Sequence, residues 1–432
     1  MLSNSAPYAS RFHHHRLRSS RIGSVFYPPL AGYPGSYPER LLVACFLMSL
    51  TWGTAATALG GTKLAFAGKQ FAGYVWVIQG TLAGLSLALC TRRRAAFPLV
   101  VWLPWLIWII VRCDFDDFYC VQRTIMLWAG PLAALSMSAI VVNEQQLSWL
   151  LRSLRVIVVI SLVIYIMSLA HALPSGIWFS GSSLMTACLA ASALAPNVLL
   201  GRRKDILLWL GCLAMCCLSV FRAVIVTCAL TLPLTPSPQP MQRRLIAVFM
   251  GIVLVLAAFS LPATRQKMLM NSGQDSLRGL AAHPGDVYSS GRFSMWRLYM
   301  DEALKQPLLG HGGNASYYFG VDLAGWEHPH SDYIRVFFDY GLIGVMLLGL
   351  PVLHTLVDTY RRVRLAGSVV TRDAWTVSCG GFISMCLLAI TDNVLLYVAF
   401  FGCLLFGILG AAYGVSAAQS GIRPRTCDAF GA

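Results

Sequence analysis

The chain has 432 residues, 57% of them hydrophobic and only 12% charged, with a net charge of +15 and a mean hydropathy of +0.64. Soluble domains carry roughly 25% charged residues, so this composition excludes an ordinary soluble fold. Its apolar runs come near the ~20 residues that cross a hydrocarbon core. The basic excess is then a question of sidedness, because translocation leaves Lys and Arg on the cytoplasmic face, and it does not call for a nucleic-acid partner.

In chain order, residues 1–40 form a basic tail rich in Ser, Pro and Tyr, without the apolar stretch of a signal peptide. The His13-His14-His15 run reads as part of that tail rather than as a metal site. Apolar runs between charged or Pro/Gly breaks then predict about twelve membrane-spanning helices. They cover 41–59, 71–90, 96–111, 124–142, 154–173, 183–200, 206–220, 223–234, 245–261, 334–356, 375–390 and 394–415. The seventh and eighth are nearly continuous and part only at Phe221-Arg222. An arginine inside hydrocarbon is expensive, so a tight external turn is expected there. Most of the thirteen cysteines lie in apolar runs, where they act as small hydrophobes. Cys113 and Cys120 share one short loop and can pair if it faces an oxidising compartment.

Placing both ends inside puts 21 of the 33 basic residues in cytoplasmic segments. The expected organisation is a tail (1–40), helices one to nine (41–261), a long external loop (262–333), helices ten to twelve (334–415) and a second tail (416–432). The loop holds about 72 residues, and connections of that length are usually functional or disordered. Its stretch Phe293–Leu304 sets Trp296, Leu298 and Met300 among charged residues, as an amphipathic helix would.

The loop closes on Glu327-His328-Pro329-His330-Ser331-Asp332-Tyr333-Ile334-Arg335 and runs straight into the tenth span. Two histidines, acidic groups and an arginine cluster here more densely than elsewhere, and histidine suits proton transfer near neutral pH. The bland alternative is that these side chains anchor a helix at the interface. Upstream stand Ser290-Gly291-Arg292, Trp296 and Arg297, then Pro307-Leu308-Leu309-Gly310-His311-Gly312-Gly313. Guanidinium groups grip phosphate oxygens in pairs, so external arginines beside a histidine fit a lipid-diphosphate donor. Gly310–Gly313 lack a Walker lysine and a preceding strand, and read as a turn after a helix, with His311 of undefined role.

His330-Ser331, nine residues, Gly341, two residues and Gly344 resemble the H-[NSQ]-x9-G-x-x-[GTY] signature of O-antigen ligases and of the wider ligase/polymerase family. Ser219-Val220-Phe221-Arg222 is similar to the family's S-R element, though two residues intervene, so only Arg222 carries over. The resemblance implies a glycosyltransferase C-like, all-α polytopic fold in the bacterial inner membrane, with the long loop periplasmic. It implies a metal-independent transfer that needs no cofactor and uses an undecaprenyl-pyrophosphate-linked glycan. His330 would be catalytic, Arg222 and Arg292 would clamp the pyrophosphate, and His328, Asp332, Glu327, Tyr333, Arg335, Trp296 and His311 would support them.

The basic tail and aromatic-rich loop are similar to exopolysaccharide polymerases, the xanthan type among them, which pass a growing chain to the next lipid-linked repeat unit. A ligase would pass it to the lipid A core. Membrane lipids, a chain-length regulator and export proteins are the partners such a polymerase implies. A lipid-linked oligosaccharide transporter is the rival of another class, and it would place ionisable residues inside spans that here hold few.

Overall fold

The computed structural model describes residues 28–30, 35–60, 65–66, 69–89, 95–141, 143–169, 182–219, 221–237, 241–262, 266, 292–324 and 327–420. The His13-His14-His15 run, Ser290-Gly291, most of both tails and much of the first half of the long loop lie outside the described residues.

The helices are α1 (Tyr37–Met48), α2 (Thr54–Gly60), α3 (Phe71–Leu89), α4 (Leu99–Val111), α5 (Phe118–Ile140), α6 (Glu144–Leu169), α7 (Ser182–Leu199) and α8 (Arg203–Leu218). There follow α9 (Arg222–Leu234), α10 (Met241–Ser260), α11 (Arg292–Ala303), α12 (Ala315–Ala324), α13 (Asp332–Leu365), α14 (Val369–Ala389) and α15 (Cys403–Gln419). A two-residue antiparallel ladder, Ala65–Phe66 against Lys69–Gln70, is the one exception to the all-α class among the described residues. Each apolar segment read from the sequence falls on a helix. By length and composition four helices can cross a membrane (Tyr37–Thr57, Phe118–Ile140, Glu144–Ser168 and Asp332–Leu365), and the shorter apolar helices beside them have 10–17 residues. The chain is a multi-pass α-helical membrane protein.

With no water in the hydrocarbon, helices associate through close packing rather than through hydrophobic burial. At the α5–α15 contact a Cβ on Gly410 would lie 2.1 Å from the Ala134 carbonyl oxygen, so only glycine lets these backbones meet. Trp102 and Phe382 each stand 5.1 Å from the ring of Phe406 and tie α4 and α14 to α15. Two π-helical turns, Ser49–Gly53 and Val398–Gly402, free backbone groups that hydrocarbon cannot solvate. Gln79 Nε2 meets that need by donating to the Ser49 carbonyl at 3.0 Å and the Ala399 carbonyl at 3.3 Å.

Charge sorts to the two ends of the bundle. Arg155 pairs with Asp205, Gln419 donates to Glu144 at 2.6 Å, and Thr371 donates to Gln419 at 3.5 Å. The ends of α6, α8, α14 and α15 that the sequence assigns to one side therefore meet. The histidine turn stands at the opposite end, with Arg123, Arg292 and Arg335 beside it.

There α13 is not one straight rod. Gly341, at φ 67° and ψ −170°, interrupts it, and the segment 307–313 lies along the break. Leu342 N donates to Pro307 O at 2.8 Å, His311 N to Phe338 O at 2.9 Å and Gly312 N to Asp339 O at 2.9 Å. A Cβ on Gly341 would sit 2.2 Å from the Leu308 oxygen. The signature glycine thus serves a backbone-to-backbone contact, and Gly310–Gly313 form a strap over the bend rather than a free turn.

Candidate functional site

Helix α8 ends at Leu218 and Arg222 is the first residue of α9, which keeps its guanidinium at a helix end instead of inside an apolar run. Arg292 likewise opens α11. The two arginines line one cavity of about 290 Å³ with Trp296, Thr391, Val226, Thr227, Phe259, Leu387 and Ile390. Arg292 Nη1 donates to the Thr391 carbonyl at 2.9 Å, which fixes the guanidinium against the end of α14. Two cations above an apolar floor suit an amphiphile with an anionic head.

The Glu327–Ser331 turn stands over the same end of α14. Trp296 Nε1 donates to Pro329 O at 2.6 Å. Ser331 caps α13 by accepting from Ile334 N at 3.5 Å and donates to Ala389 O at 3.4 Å. Asp332 N donates to Asp392 O at 3.2 Å. Held by these bonds, His330 takes φ 50°, a left-handed conformation that costs a side-chain-bearing residue energy and concentrates at functional sites. Its imidazole is half-buried. Burial and the positive charge of Arg292 push its pKa below the ordinary value, and Asp392 pulls the other way. A neutral imidazole can accept a proton.

His328, two residues earlier, faces other partners. Its ring nitrogens lie 3.4 and 3.5 Å from Arg123 Nη2, and its centroid is 6.1 Å from the Tyr317 ring. Burial first, then Arg123, Arg335 and His330, lower its pKa to about 3. It therefore stays uncharged at neutral pH and is a weak base.

The remaining sequence candidates divide by what they touch. Asp332 and Arg335 form an ion pair of 2.8 Å with only 2% and 4% of each residue exposed, and Asp332 Oδ2 accepts from Leu395 N at 2.7 Å. Both brace the start of α13. Tyr333 donates its hydroxyl to Cys386 O at 3.1 Å, while Glu327 is exposed. His311 stacks on Phe338 at 4.6 Å and places Nε2 3.1 Å from Glu302 O, so it serves the strap and not the cavity. Among the described residues no three His, Cys, Asp or Glu side chains converge as metal ligands would.

Two groups at this site were not singled out in the sequence. Arg123 lies on α5 and Asp392 just beyond α14, about 200 and 60 positions from the histidine turn. No local motif announces either. The usable signals were an arginine near the outer end of a span and the polar Thr391-Asp392-Asn393 break between two apolar runs.

Residues 206–349 match the family model described as O-antigen ligase. That stretch contains Arg222, Arg292, His330, Gly341 and Gly344 and excludes Arg123 and Asp392. No curated protein matches the chain. The chain carries an O-antigen ligase/polymerase-type region within a helical membrane protein.

Proposed function

We propose that the protein is an exopolysaccharide polymerase of the bacterial inner membrane. It moves a glycan from a polyprenyl-diphosphate carrier, of the undecaprenyl type, to a lipid-linked repeat unit at the periplasmic face. The observation that carries this is the pairing of Arg222 and Arg292 on one apolar-floored cavity, with His330 close enough to Arg292 to feel its charge. The diphosphate of the donor sits against the two guanidinium groups, and its first isoprene units lie against Val226, Phe259 and Leu387.

The neutral imidazole of His330 takes the proton of an acceptor hydroxyl as its oxygen attacks the anomeric carbon. The bond from that carbon to the phosphate oxygen breaks, and the departing diphosphate gains negative charge. Fixed cations stabilise that charge without reorganising. The leaving group is already activated, so a second carboxylate of the glycosidase kind is not required. One displacement inverts the anomeric centre, and NMR of the product linkage reads the outcome; retention rules out the single step.

His330→Ala, with membrane expression verified, is expected to abolish polymer formation, and near-normal yield rejects the assignment. Arg222→Ala and Arg292→Ala are expected to leave only a small residual activity. Lysine at either position restores part of the activity at most, because the two-pronged donor is lost. The ligase description of the matched family favours a second reading, transfer to the lipid A core. A deletion strain separates the two. Loss of free polymer with intact lipopolysaccharide supports the polymerase, and a bare core with carrier-linked polymer accumulating supports the ligase.

A further inference from the structure

Beside the histidine turn the structure gathers aromatic rings that the transfer chemistry does not use. Phe118 and Tyr119 open α5, and Tyr317 and Tyr318 lie on α12. Tyr119 and Tyr317 are nearly parallel, with centroids 6.0 Å apart and planes 30° from each other. Phe118 stands edge-on to Tyr119 at 5.8 Å, and Tyr318 stands edge-on to Tyr317 at 5.3 Å. Phe118, Tyr119 and Tyr318 are 70%, 53% and 44% exposed. The group is joined to the site through Tyr317, whose ring lies 5.1 Å below the Arg123 guanidinium and 6.1 Å from His328.

Exposed rings at a membrane protein's outer end often form an interfacial belt. Two observations argue for another use. The loop leading into α5 carries Asp114, Asp116 and Asp117, with Asp114 and Asp116 exposed, and an acidic rim is repelled by anionic lipid head groups. The backbone that carries these rings is also held from below. The Asp117 carboxylate accepts from Tyr119 N at 2.9 Å and from Asn314 Nδ2 at 3.3 Å, Asn314 itself takes φ 66°, and Asp116 N donates to Asp114 Oδ1 at 3.0 Å. A rigid aromatic floor with carboxylates at its edge is the pattern that suits a sugar. The C–H face of a pyranose packs on a ring while its hydroxyls donate to the carboxylates.

We propose that Phe118, Tyr119, Tyr317 and Tyr318, with Asp114 and Asp116 at their rim, form the subsite that holds the acceptor glycan and leads its terminal hydroxyl toward His330. The subsite presupposes the glycan transfer proposed above, and its test is chosen to fail independently. The probe is the repeat-unit oligosaccharide, released from the carrier by mild acid and fluorescently tagged. It is titrated onto the full-length protein in lipid nanodiscs.

Tyr119→Ala and Asp116→Asn are expected to weaken binding about tenfold, the loss of one stacking or charge-assisted contact. Tyr119→Trp, which keeps a ring, is expected to bind as the parent does. In the transfer assay the Tyr119→Ala defect is expected to recede when lipid-linked substrate is raised. Undiminished binding by Tyr119→Ala overturns the subsite. An equal loss in Tyr119→Trp does so too, because it marks a structural role. Binding that follows nanodisc head-group composition instead of Tyr119 marks an interfacial belt and also overturns it. Polymer formation by His330→Ala overturns the transferase reading, and the titration still decides on the rings.

Discussion

His330 and His328 share one turn and differ in what surrounds them. Both imidazoles are driven toward the neutral form by burial and nearby guanidinium groups, but Asp392 offsets this only at His330. His330 is thus the better proton acceptor, and its transfer reaction should fail on the acid side. Activity is lost as pH falls through its lowered pKa, so the rate should hold below pH ~6.5, the ordinary histidine value. Removing a neighbouring cation favours the protonated ring and raises that pKa. The residual activity of Arg292→Ala is therefore expected to lose its acid side at a higher pH than the parent. A pH–rate profile measures this, and an unmoved acid limb separates Arg292 from His330. His330 and Arg222 were singled out in the sequence beside breaks in apolar text, and Arg292 as an external arginine of the long loop that the family resemblance favoured. Arg123 and Asp392 were not, because an isolated polar residue near a span's end looks alike whether it meets solvent or a histidine.

Helix α13 shows why the signature has glycine where it does. The spacing from His330 to Gly341 was legible as a motif, yet its cause is a strap from residues 307–313 crossing the bend. Gly341→Ala places a Cβ 2.2 Å from Leu308 O in a backbone conformation that costs an L-residue about 1 kcal/mol or more. It is expected to lower the unfolding temperature and abolish transfer while leaving membrane insertion intact. A parent-like unfolding curve would show that the strap gives way freely. The loop before α5 allows a second test. Cys113 and Cys120 Sγ lie 3.5 Å apart as thiols. On the periplasmic side proposed for this loop, a thiol–disulfide oxidoreductase can accept their two electrons and two protons, forming one S–S bond. Mass spectrometry of unreduced peptides is expected to find the pair lighter by two hydrogens, and Cys120→Ser to abolish the change. Full alkylation without reduction means the loop sees a reducing compartment.

For the protein as a whole, the two charge clusters predict sidedness. A reporter fused after Ser420 is expected in the cytoplasm, and a tag placed before Glu327 is expected to be reached by membrane-impermeant reagents. Labelling of that tag only after permeabilisation places His330 inside and removes the proposed donor from its reach. The class of the fold needed no coordinates, because a chain this apolar and charge-poor has few ways to satisfy its backbone except as membrane helices. The helix breaks were legible in the same way, from local costs that each segment pays regardless of its neighbours, and the sidedness is proposed on that ground. Which breaks come together is not a local property. Arg222, Arg292, the histidine turn and Asp392 lie on segments far apart in the chain. They meet because glycine-mediated close packing and the Gly341 bend set the helices against one another, and contacts of that kind leave no periodic trace in the order of the residues.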